Sequence, residues 1–141
     1  MPTDVELAAT ASELRLVLGQ LVRRLRAENT FPIGQASVLS RLDREGPQTT
    51  TALAAAERVR PQSMAQTLGE LEADGLIARS DDPSDGRRVL IEVTERGRRR
   101  LLDDRARREG WLAEAIATTL TEREQRALLA AVPLLRRLAG S

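Results

Sequence analysis

Residues 60–97, RPQSMAQTLGELEADGLIARSDDPSDGRRVLIEVTERG, hold one helix, a two-stranded hairpin and the start of a further helix, and their order decides the fold. Pro61 suits the first turn of a helix, where its missing N–H would have no partner anyway. Met64, Leu68 and Leu71 recur at three-to-four spacing on one face, and Gly75 supplies a residue free to end the helix in a left-handed conformation. Residues 76–79 and 89–93 are β-rich runs joined by SDDPSDGRR, whose Asp-Pro and Asp-Gly steps favour a turn. Thr94-Glu95 then restarts helix.

Working outward, the run Thr49-Thr50-Thr51 offers an N-cap for a short helix, TALAAAERV, three or four residues before the next. Upstream, residues 34–44 read as a helix burying Ala36, Val38, Leu39 and Leu42, stopped by Gly46-Pro47. Residues 7–25 form an amphipathic helix with Leu14, Val17, Leu18, Leu21, Val22 and Leu25 on its apolar face and Phe31-Pro32 as its break. Downstream, a long helix runs to about residue 119 through Leu101, Leu102, Trp111, Leu112 and Ile116, with Gly110 a weak point of ~1 kcal/mol relative to alanine. Thr121 and Glu124 have capping-box spacing and open a last helix bearing Leu128, Leu129, Val132, Leu135 and Leu138, which Pro133 is expected to kink. The expected fold is mainly α with a small β-hairpin: a winged helix-turn-helix over about 30–95, flanked by helical segments over about 5–28 and 96–139, in a single domain spanning 1–141.

Composition narrows the chemistry. The chain has neither cysteine nor histidine, so disulfides, zinc-thiolate sites and thiol redox switches cannot be built, and the commonest general base is missing. The usual side chain for a pH switch is missing with it. The expectation is no cofactor, no metal and no catalytic residue. The pairs Asp81-Asp82 and Asp103-Asp104 are adjacent in sequence, so on regular structure their carboxylates diverge and cannot converge on one substrate. No stretch has the ~20 consecutive apolar residues of a membrane span, and the N-terminal residues do not read as a signal peptide, so a cytoplasmic protein is expected. All 22 basic residues are arginine, and against 21 acids they leave a net charge of +1. Bulk charge therefore does not announce a nucleic-acid partner, and local placement must.

A helix, a tight turn, a second helix and a hairpin form the layout that puts one helix in the major groove and a wing over the neighbouring minor groove or backbone. On the second helix Arg60, Gln62, Ser63, Gln66 and Thr67 are polar residues of types that contact base edges or phosphates, clustered in the N-terminal turns. At the hairpin tip Asp85, Gly86, Arg87 and Arg88 follow one another; the arginines can project into a narrow groove, and Asp85 is expected to orient Arg87 through a bidentate pair. Arg96, Arg98, Arg99 and Arg100 are a weaker set of phosphate contacts, since such a run also suits a solvated helix face. Over residues 79–108 ten arginines meet seven acids, so shape and a few placed arginines must outweigh bulk charge.

The tip Asp82-Pro83-Ser84-Asp85-Gly86-Arg87-Arg88, an aliphatic strand and Thr94-Glu95-Arg96-Gly97 together resemble the wing signature of the MarR family, D-P-x-D-x-R followed by L-T-x-x-G, with Val93 where leucine often stands. The resemblance covers essentially the whole chain. It implies a transcriptional regulator, more often a repressor, that binds a pseudo-palindromic operator in double-stranded DNA as a homodimer built from the first and last two helices. It also implies a partner class of small anionic or hydrophobic effectors. With only Phe31 and Trp111 as aromatics, a pocket here would be aliphatic with arginine at its rim, and Arg15 is one candidate anion partner against the plainer reading of a solvated helix arginine. The alternative reading is a winged-helix protein-interaction module without its own operator; the wing arginines count against it.

Overall fold

The computed structural model describes residues 1–141 as six helices and one hairpin: α1 Asp4–Arg26, α2 Ile33–Glu45, α3 Thr50–Glu57, α4 Pro61–Ala73, β1 Ile77–Asp81, β2 Val89–Val93, α5 Glu95–Thr119 and α6 Glu122–Ala139. Every expected element is present. The start of α1 lies further upstream than the apolar spacing shows, because Thr3 and Glu6 form a capping box ahead of the first core-type residue. Thr49 caps α3 by accepting the Ala52 N–H, and Thr121 with Glu124 forms the capping box of α6. α5 continues through Gly110, and α6 continues through Pro133 to Ala139.

The core belongs to the middle of the chain. Leu39, Leu42, Leu53, Met64, Leu68, Leu71, Leu76 and Ile91 are almost completely buried, drawing α2, α3, α4 and the hairpin around one apolar centre. Phe31, read from sequence as part of a helix break, is also a member of that core. The hairpin pairs antiparallel with Ile77 opposite Val93 and Asp81 opposite Val89, so Ile77, Ile91 and Val93 turn inward while the strand residues nearer the tip reach solvent. Gln48 makes a two-way backbone bridge to Ile91, at 3.0 and 2.7 Å, which ties the entry to α3 to the second strand of the hairpin. α1 and α6, by contrast, bury no residue at all.

Gly97 shows how closely α5 joins this body. A Cβ built there would overlap the Leu76 carbonyl and lie 2.7 Å from Val93 Cγ2. Backbone on one side and a β-branched side chain on the other leave little to give. Thr94 completes the junction: its hydroxyl donates to the Gly75 carbonyl at 2.7 Å and accepts the Gly97 N–H at 3.1 Å. Gly75 has φ +73, the left-handed turn that ends α4. A Gly97→Ala variant is expected to lose about 1–3 kcal/mol, because even one methyl forces the helix away from the hairpin base. Denaturant unfolding beside the parent measures this, and an unchanged midpoint would show that α5 has room to move.

Candidate nucleic-acid interface

The turn between α3 and α4 is short because Arg58 adopts φ 55, ψ 44, a left-handed conformation that a non-glycine residue enters at a cost of about 1 kcal/mol. The Val59 N–H then bonds the Ala54 carbonyl at 3.0 Å, and Pro61 opens α4. Met64, Leu68 and Leu71 pin one face of α4 in the core, which turns the opposite face outward. Arg60, Gln62, Ser63 and Gln66 are exposed there and Thr67 is half-buried. Gln66 rests 3.5 Å from Glu70, whose carboxylate also accepts the buried Gln35 amide of α2 at 2.7 Å. The Gln35–Glu70 bond fixes the roll of α4 and the direction its polar face points.

The wing tip is held by its own backbone. Asp82 N–H bonds Arg88 O, Arg88 N–H bonds Asp85 O and Asp85 N–H bonds Asp82 O, at 3.0 to 3.2 Å. Two carboxylates add short local turns. Asp82 accepts the Ser84 N–H at 2.9 Å and the Ser84 hydroxyl at 2.8 Å, and Asp85 accepts the Arg87 N–H at 3.2 Å. The expectation of a bidentate Asp85–Arg87 pair is therefore corrected: Asp85 holds the backbone of Arg87 and leaves its guanidinium alone. A tight loop places the main-chain N–H two residues on within closer reach than the end of a long side chain. Neither Arg87 nor Arg88 forms an ion pair, and both are exposed.

Those arginines face the start of α3. Arg87, Arg88 and Val89 line one side of an open cleft of about 640 Å³, with Thr49, Thr50, Thr51, Ala52 and Ala55 on the other. The sequence presented the threonines only as a cap, and nothing local signals that the hairpin folds back opposite them. The run after the wing divides: Arg98 pairs with Asp43 of α2 at 3.2 Å, Arg100 is engaged by Thr30, and Arg96 and Arg99 line a separate polar cleft with Asp103. As expected of adjacent carboxylates, Asp103 is exposed while Asp104 is buried.

Two further cavities lie among the outer helices. One of about 420 Å³ is lined by Val22, Leu25, Ile33 and Ala36 on one hand and by Arg26, Asn29, Ser37, Ser40 and Arg108 on the other, so it holds arginine and no aromatic residue but is more polar than the aliphatic pocket expected. Arg15 stands instead in an apolar groove between α1 and α6. No cluster of potential metal ligands is present. No helix is long and apolar enough to cross a membrane.

A helix-turn-helix pinned to a hairpin with free arginines at its tip defines a DNA-binding winged helix of the kind found in transcriptional regulators. The comparisons with known proteins agree: residues 31–89 match the MarR family model. An uncharacterized HTH-type transcriptional regulator of Mycobacterium bovis is 41% identical over 114 residues, 79% of this chain and 80% of that protein. A crystal structure from Pseudomonas aeruginosa, described as a transcriptional regulator protein, is 43% identical, with 98% of each chain covered and a TM-score of 0.79. A point mutant of Staphylococcus aureus MepR bound to oligodeoxyribonucleotide shares the fold at 19% identity, with a TM-score of 0.71 over 93% of this chain and 96% of that one. The chain belongs to the MarR family.

The hydrogen bonds from Ser84, first its hydroxyl and then its N–H, hold the Asp82 carboxyl below its ordinary value of 3.8. A depressed folded value means the turn is supported above the ordinary value and loses that support as pH falls through the folded one. In an NMR titration the Ser84 amide is expected to shift with a midpoint below 3.8, and Ser84→Ala to move the Asp82 midpoint upward. Equal midpoints in the two proteins would remove Asp82 from the design of the tip.

Proposed function

We propose that this regulator binds a pseudo-palindromic operator as a homodimer, acts as a repressor, and is released by a small amphipathic anion. The observation that carries the reading is one rigid winged helix presenting a polar α4 face and two unpaired tip arginines, flanked by helices with nothing of their own to cover them. Val17, Leu18, Leu21 and Val22 of α1 and Leu129, Val132, Leu134 and Leu138 of α6 are exposed in the single chain. So large an apolar surface calls for a partner, and a second copy supplies a self-complementary one. In that dimer the segments over about 5–28 and 96–139 form the shared helical region, and the two α4 helices enter successive major grooves about 34–36 Å apart.

Within each half, Gln62, Ser63, Gln66 and Thr67 read base edges, Arg60 and the wing residues Arg87 and Arg88 meet phosphate or the minor groove, and Asp85 shapes the tip that presents them. The cavity beside α1 and α2 has the size for a small acid, with Arg26 and Arg108 to meet its charge, Asn29, Ser37 and Ser40 to meet polar groups and four aliphatic side chains to meet its body. Repression follows from family likeness, and a reporter driven from the selected operator tests it.

Sedimentation equilibrium is expected to give twice the chain mass, and a purely monomeric protein would overturn the dimer. Arg87→Ala is expected to weaken binding to an operator selected from random DNA by about 1–3 kcal/mol at fixed salt while leaving the dimer intact. Unchanged affinity would remove the wing from the interface. Gln62→Ala is expected to alter the selected sequence, since base contacts specify and phosphate contacts position; recovery of the same site would demote Gln62 to positioning.

A further inference from the structure

α5 carries Arg100, Asp104 and Arg108 on one stripe, each a turn beyond the last. The connector between α1 and α2 runs antiparallel along that stripe, and three of its successive residues are gripped. Arg108 Nη1 donates to Asn29 Oδ1 at 2.6 Å. The Thr30 N–H donates to both Asp104 oxygens, at 3.3 and 3.2 Å, and the Thr30 hydroxyl donates to Oδ1 at 2.7 Å. Arg100 donates through Nε to Thr30 Oγ1 at 2.8 Å and through Nη2 to the Thr30 carbonyl at 3.0 Å, and its guanidinium lies 4.8 Å over the ring of Phe31.

Asp104 is 1% exposed, the sole carboxylate among the buried residues. Burying a carboxylate is unfavourable unless hydrogen bonds offset it, and apolar residues of similar size hold two elements together at least as well. What the polar set adds is direction. Apolar surfaces slide past one another, whereas donors and acceptors at these distances allow one register. The place of the clamp gives that direction a use. The Phe31 side chain enters the core of the winged helix, while α1 lies on α5 with Arg24 stacked 4.2 Å over Trp111. The winged helix meets α5 at the Gly97 junction, through Leu101 in its core and at the Arg98–Asp43 pair, and the clamp carries that contact on to Asp104 and Arg108, furthest from the junction, where a small shift changes the angle most.

We propose that Asp104, Thr30 and Arg108 are positioning residues for DNA binding: the clamp sets the angle between the winged helix and the α1–α5 pair. On the dimeric reading above, it thereby sets the separation of the two α4 helices. No residue of the clamp needs to touch DNA.

The first test uses the protein alone and needs no operator. The chain lacks cysteine, so Ala65→Cys on α4 and Thr118→Cys near the end of α5 accept spin labels at those positions only. Diluted into unlabelled protein, the pair reports the distance within one chain by pulsed electron resonance. The parent is expected to give one narrow distribution and Thr30→Val one at least about twice as wide, with the melting transition retained; Arg108→Gln gives a smaller broadening and serves if Thr30→Val does not fold. Unchanged widths in the folded variants overturn the clamp.

The second test uses duplexes carrying the site selected by the parent, with one base pair added or removed between half-sites. The parent is expected to lose at least about tenfold in affinity on such a change and the Thr30→Val variant less than about threefold. Weaker binding with the parent's spacing profile would make the clamp merely structural and overturn the proposal. If the parent selects no site, the operator reading falls, and the distance measurement still decides the clamp.

Discussion

One missing side chain holds the architecture together. At Gly97 the first turn of α5 lies against the Leu76 carbonyl with no space for a Cβ, and Thr94 and Gly75 close the same corner. The end of α4, both strands of the hairpin and the start of the longest helix therefore meet within a few ångströms. α4 cannot tilt without dragging the hairpin, nor the hairpin without α5. The bridge from Gln48 to Ile91 extends that coupling to the entry of α3. A helix and a wing that must meet one duplex together gain from this stiffness, since each contact is then made without a fresh cost in ordering.

A chain of nearly balanced charge can still address a polyanion if its arginines are sorted by what they face. Arg41, Arg79 and Arg98 are neutralised by Glu57, Glu72 and Asp43. Arg24 and Arg100 stack on the two aromatic residues. Arg87 and Arg88 form no ion pair of that kind: Asp82 accepts from Ser84 and Asp85 from the Arg87 N–H, and Arg88 acts on Asp82 only through its charge at longer range. The free cations at the tip are a product of turn chemistry.

Most of the fold was legible because its elements announce themselves locally. Capping threonines, proline at a first turn and glycine after a last one mark the ends, and the apolar spacing marks the faces. The candidate interface was legible for the same reason: Arg60, Gln62, Ser63 and Gln66 lie on the outward face that Met64, Leu68 and Leu71 dictate. What escaped depends on residues distant in sequence. Asp104 falls on the inward stripe of Gly97 and Leu101, but the group that donates to its carboxylate there is Thr30, 74 positions away, which no local pattern announces. Arg58 gives no sign of its left-handed backbone, since glycine would be the expected residue there. The Asp85–Arg87 pairing failed because opposite charges two apart in a tight loop are outcompeted by the backbone between them.

The locked wing tip also governs how this protein experiences its surroundings. Its Asp82 carboxyl is held lower than usual, and every basic side chain in the molecule is an arginine. Histidine, cysteine, tyrosine and lysine are all missing, so the side chain that ordinarily changes charge in the physiological range has no place in the molecule. The tip therefore meets a phosphate with guanidinium groups alone, and no histidine stands beside them to turn a change in cellular acidity into a change in their charge.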